Sequence, residues 1–105
     1  MRDAKKKRLE RKGWRIGGPD EFLGLTDEEA EYIELKLRLS QTFRTKRRRK
    51  GLTQVEVARA LRSSQSRVAK MEAGDPSVSV DLLIRALYAL GTTPRELARV
   101  VASGA

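Results

Sequence analysis

The sequence predicts an all-α domain of five helices from residue 26 onward, preceded by an irregular arm over residues 1–25. Three observations predict it. Helix-start signatures recur, with Thr26 ahead of Glu29, Thr53 ahead of Glu56 and Thr93 ahead of Glu96, the spacing at which a hydroxyl and a carboxylate satisfy each other's orphan backbone N–H groups. Between these starts the apolar residues return at three- and four-residue steps, the period of one helical face. No stretch carries a convincing strand pattern.

The first helix is read from Thr26 to Gly51. Asp27, Glu28 and Glu29 fill its N-terminal end, where the macrodipole favours anions, and Gly51 supplies the left-handed position that stops it. Ile33, Leu37 and Ser40 run down one side and Tyr32, Leu35, Leu39 and Phe43 down another, so its C-terminal half is expected in the core while its N-terminal half faces a partner. A second helix opens at Thr53 with Val57, Ala58 and Leu61 inward. Ser64 caps a third, which carries Val68 and Met71 and stops at Gly74. After the turn Asp75-Pro76-Ser77, Ser79 caps a fourth containing Leu82, Leu83, Ala86, Leu87 and Leu90, ended by Gly91. Thr93-Pro94-Arg95-Glu96 starts the fifth, with proline at the first helical position, and it buries Leu97 and either Val100 or Val101.

The arm differs in kind. Trp14, Ile16, Phe22 and Leu23 alternate with Gly13, Gly17, Gly18, Pro19 and Gly24, so no useful helix runs through it. Large apolar side chains in a glycine-rich segment point to docking, on its own domain or on a partner protein.

Composition narrows the chemistry. The 105 residues include no cysteine and no histidine, which removes disulfides, zinc fingers, thiolate nucleophiles and imidazole bases. Glycine-rich phosphate loops are also absent. The expectation is a binding protein without cofactor or metal, and not an enzyme. No apolar run has the length of a membrane span, and the basic start is followed by no signal-peptide core, so a cytoplasmic protein is expected.

A net charge of +9 points to a polyanionic partner. The charge is segregated: residues 20–34 carry seven acids and no base, and residues 35–50 carry eight bases and no acid. The basic N-terminal tail is equally what a solvated segment looks like. The run Lys46, Arg47, Arg48, Arg49, Lys50 falls at a helix C-terminus, where cations are favoured even without a ligand.

The second and third helices form the pattern that carries function. Two helices joined by a short turn, the second beginning with small polar side chains, make a helix-turn-helix. Gln54 stands at the start of the first helix, where it reaches a phosphate. The outer side of the second presents Gln65, Ser66, Arg67, Ala69 and Lys70. Glutamine pairs with adenine, arginine with guanine and serine with either, for about 1–3 kcal/mol of discrimination per good contact.

The elements T-Q-x-x-x-A from Thr53, S-x-S-x-V from Ser64 and E-x-G from Glu72 together resemble the lambda-repressor-like, or Xre/Cro/CI, helix-turn-helix family, over roughly residues 37–102. The resemblance implies a five-helix lambda-repressor-like domain that binds double-stranded DNA at a palindromic operator. It implies that Gln54 contacts phosphate and steadies Gln65, that Gln65, Ser66 and Arg67 meet base edges or phosphates, and that Glu72 is structural. Ser64, Lys70, Lys46, Arg48 and Arg49 complete the expected DNA-binding set. The turn position that is commonly glycine in that family is Arg62 here, so either the turn differs or Arg62 adopts a strained conformation and serves as a phosphate contact.

A second resemblance concerns the front of the chain. Glu21-Phe22-Leu23-Gly24-Leu25-Thr26, followed by Glu28, Glu29, Ile33, Glu34 and Leu35, is similar to the opening of HigA-type antitoxins. This implies a protein that neutralises a RelE/HigB-like ribonuclease toxin and represses its own operon, with Trp14, Ile16, Phe22, Leu23, Glu31 and Glu34 as the toxin-facing residues. A phage-type or general regulator of the same family without a toxin is the alternative. With one reading helix per chain, a homodimer is expected, through apolar residues such as Leu90, Leu97 and Val101, to span half-sites about 34 Å apart.

Overall fold

The computed structural model describes residues 26–103, in which five helices and no strand are found. The arm of residues 1–25, with Trp14, Ile16, Phe22 and Leu23, lies outside the described residues. Helix α1 spans Asp27–Arg49, α2 Gln54–Ala60, α3 Gln65–Ala73, α4 Val80–Ala89 and α5 Pro94–Ala102. The starts are the ones the capping signatures mark: Thr26, Thr53 and Thr93 each exchange hydrogen bonds with the glutamate three residues on. Ser64 and Ser79 cap α3 and α4 by accepting from Arg67 N and Leu82 N. Gly51, Gly74 and Gly91 follow three of the helices with φ of 70°, 70° and 91°, the left-handed conformation that closes a helix end most cheaply with glycine.

One core holds the five helices together. Leu39 and Phe43 of α1 meet Val57 and Ala58 of α2, Val68 and Met71 of α3, Val78, and Leu83, Ala86 and Leu87 of α4, all buried. Helix α1 is the central beam, packed against α3, α4 and α5, while α2 packs on α3. Arg38 ties α1 to the end of α5 by donating to the Val101 carbonyl at 3.4 Å.

Burial settles two sequence expectations. In α5 it is Val100, with Leu97, that packs against the core, and Val101 is 43% exposed. Leu90, expected at a dimer interface, is a core residue at 6% exposure. It sits at the C-terminal cap of α4, on the same inward side as Ala86 and Leu87, so no partner can reach it without opening the fold. Leu82 is half-buried at the core's edge. In α1, Leu39, Ser40 and Phe43 are buried in the C-terminal half as expected, whereas the N-terminal half buries Asp27, Ala30 and Lys36 and leaves Tyr32, Ile33 and Leu37 exposed. Among the described residues no helix is long and apolar enough to cross a membrane, and no cluster of acidic residues could hold a metal ion.

Candidate nucleic-acid interface

The α2–turn–α3 unit is built so that one face of α3 is consumed by the core and the other left open. Val68 and Met71, three residues apart, are fully buried, and Ala58 on α2 is small and buried at 4% exposure where the two helices pack. Gln65, Ser66, Arg67 and Lys70 are exposed, and Ala69 is half-buried between the two faces. The turn is tight. Ser63 N donates to Ala58 O at 2.8 Å, Arg62 N to Arg59 O at 3.2 Å, and Arg62 takes φ of 54°. Arginine therefore adopts the left-handed conformation usual for glycine at this position, at a cost of about 1–2 kcal/mol, and its side chain is exposed.

A polar chain beneath α3 fixes where its first residue points. The Arg47 guanidinium forks onto both carboxylate oxygens of Glu72, through Nε to Oε2 and through Nη2 to Oε1 at 3.0 Å. Its remaining arm, Nη1, donates to the Leu52 carbonyl at 2.7 Å. Glu72 Oε1 also accepts from Gln54 Nε2 at 3.2 Å, and Gln54 Oε1 accepts from Gln65 Nε2 at 2.9 Å. The series runs from the end of α1 through the inner side of α3 to the starts of α2 and α3. The Glu72 hydrogen bonds hold the Arg47 guanidinium above its ordinary pKa, against the opposing effect of burial, so the fork stays charged. Gln65 gives one amide proton to this chain, and its amide carries a carbonyl oxygen and a second proton besides.

The expected residues divide accordingly. Gln54, Gln65, Ser66, Arg67 and Lys70 are brought together at the start and outer side of α3. Ser64 stands beside them with its oxygen accepting from Arg67 N, and Arg62 precedes it in the turn. Lys46 goes elsewhere: its ammonium pairs with Glu96 Oε2 at 2.9 Å, because Glu96 of α5 faces that side of α1. It thereby forms a strut between α1 and α5. Arg49 lines the same cleft with Lys50, Thr92 and Glu96, while Arg48 is exposed at the helix end. Glu31 and Glu34 lie on the N-terminal half of α1, half-buried and exposed respectively, at the opposite end of that helix from the α3 start.

Arg47 is the residue that sequence reasoning missed. It stands in the basic run Lys46–Lys50, yet its guanidinium turns toward α3 while Lys46 turns toward α5. Glu72 held the signal: a carboxylate on the inner side of an amphipathic helix needs a buried cation.

A family model described as a helix-turn-helix domain matches residues 38–100, from the second half of α1 through nearly all of α5. No curated protein and no solved structure matches the chain.

Proposed function

The chain belongs to the helix-turn-helix domain family, and from that premise we propose that it is a sequence-specific DNA-binding transcriptional repressor, with α3 as the helix that enters the major groove. The supporting observation is the exposed row Gln65, Ser66, Arg67 and Lys70, aimed by the Gln54–Gln65 hydrogen bond. Gln65 and Arg67 read base edges. Gln54, Ser64, Arg62 and Arg48 hold phosphates, which position the helix without reading sequence. No catalytic, metal or cofactor role is assigned, and the site of action is the cytoplasm. Selection of bound duplexes from a random pool tests this reading: a recurring motif supports it, and an unselected pool overturns it.

The repressor acts as a homodimer on a palindromic operator, with the exposed Val101 and half-buried Leu97 at the dimer contact and Leu90 excluded from it. Its finer role is that of an antitoxin, which neutralises a RelE/HigB-like ribonuclease and represses the operon encoding both. The acidic N-terminal half of α1 supports this reading, because a toxin that handles RNA is basic and meets a complementary field there. Co-expression with the adjacent gene product and co-purification test it. Absence of a small basic toxin frame beside the gene would leave the alternative, a phage-type or general regulator. The helix-turn-helix match over residues 38–100 is compatible with both readings.

A further inference from the structure

The first half of α1 carries an apolar face that the core does not use. Tyr32, Ile33 and Leu37 are 50%, 40% and 43% exposed, and with Gly74 and Pro76 they line an open groove between α1 and the α3–α4 turn. Gly74 sets its floor, since a Cβ there would lie 2.6 Å from Leu37 Cδ2. Glu28 and Glu29 line the end nearest the start of α1. Lys36 is held against the turn by donating to the Pro76 carbonyl at 3.2 Å.

We propose that this groove is the seat of the chain's own residues 14–23, which deliver Trp14, Ile16, Phe22 and Leu23 to it. Reach favours this occupant. Leu23 precedes Thr26 by three residues, a span of about 10 Å at most, and the groove follows α1 from Glu28 to Leu37, about 14 Å. The segment Gly17-Gly18-Pro19 supplies the reversal that returns Trp14 along the same groove. Charge favours it as well: Arg11, Lys12 and Arg15 flank Trp14 and meet the Glu28 and Glu29 end of the groove. Four large apolar side chains in ten residues are too few to form a core alone and gain their burial only on an existing surface. The inference stands apart from the toxin reading; a partner that captured the arm would uncover the groove.

Trp14 is the only tryptophan of the chain, so indole fluorescence of the full-length protein reports on it directly. Acrylamide quenching is compared among the wild type, Ile33→Glu in the groove and Tyr88→Glu on the exposed side of α4 outside it, with helical content checked by circular dichroism. Ile33→Glu is expected to raise the quenching constant about twofold as the ring moves from covered to solvated, and Tyr88→Glu to leave it at the wild-type value. Tyr32→Ser, at a more exposed position, carries the same expectation should Ile33→Glu fail to fold. Equal quenching in the wild type and the groove variants overturns the proposal. So does a quenching constant that falls as protein concentration rises, which would assign the groove to a second copy of the chain.

Discussion

Gln54 and Gln65, the first residues of two successive helices, are joined side chain to side chain at 2.9 Å. The bond fixes the first residue of α3 relative to α2, so in the proposed DNA-binding mode the two helices would meet the duplex as one unit. Gln54→Ala is expected to fold normally and to lose about fivefold in preference for operator over scrambled duplex, the worth of one net hydrogen bond of about 1 kcal/mol. Competition binding with the two duplexes measures that ratio; an unchanged ratio would show that the contact does not position Gln65.

Glu72 is the hub of the polar chain, and its side chain and that of Arg47 are only 5% and 13% exposed. Removing the carboxylate leaves a buried guanidinium without its counterion. Glu72→Ala is expected to cost about 3 kcal/mol of stability, read as a lower urea midpoint at unchanged slope. A loss below about 1 kcal/mol, typical of an exposed pair, would contradict the buried role.

Arg62 holds the turn with φ of 54°. Arg62→Gly relieves the strain of a side chain in the left-handed region and is expected to stabilise the domain by about 1 kcal/mol, net of the extra freedom glycine gives the unfolded chain. The same change removes a proposed phosphate contact and should lower the salt dependence of DNA binding by close to one ion. Denaturant unfolding and salt titration separate the two effects, and destabilisation by Arg62→Gly would show that the arginine side chain contributes more than its backbone costs.

Acid should weaken the caps at Thr53 and Thr93 and the turn at Asp75. Hydrogen bonds from Thr53 hold the Glu56 carboxyl below its usual range, bonds from Lys46 and Thr93 do so for Glu96, and those from Ser77 do so for Asp75. A depressed folded-state value means that the unfolded chain binds the proton more readily. The stabilisation is thus complete above the unfolded values, about 4, and is lost as pH falls through the lower folded ones. Thermal midpoints are expected to be flat from neutral pH down to that range and to decline below it. Glu56→Gln, which keeps an acceptor for Thr53 N without a titrating group, should make the decline shallower; a slope identical to wild type would show that Glu56 contributes nothing to it.

What the sequence disclosed and what it concealed follow from range. The helix starts were legible because a capping box is complete within four residues: Thr53 and Glu56 identify each other without knowledge of the fold. The outer row of α3 was legible because Val68 and Met71 fix the inner side and leave Gln65, Ser66, Arg67 and Lys70 outside. The partners within the Lys46–Lys50 run were not legible because consecutive helical residues point about 100° apart, and only the packing of α1 decides which of them meet other helices. Arg47 finds Glu72 twenty-five residues on, and Lys46 finds Glu96 fifty residues on. The choice of Val100 over Val101 turns on the rotation of α5 about its axis, as does the burial of Leu90 on that of α4, and apolar content alone cannot give either.

In the proposed mode of binding the outer face of α3 reads bases while the exposed end of α1 meets only phosphates. The most direct measurement is an equilibrium binding titration of the wild type, Gln65→Ala, Arg67→Ala and Arg48→Ala against the selected operator and a scrambled duplex, each at two salt concentrations. Gln65→Ala and Arg67→Ala are expected to lose about 1–3 kcal/mol on the operator alone, and Arg48→Ala to weaken both duplexes equally with a shallower salt slope. Equal losses on both duplexes for Gln65→Ala and Arg67→Ala would contradict it.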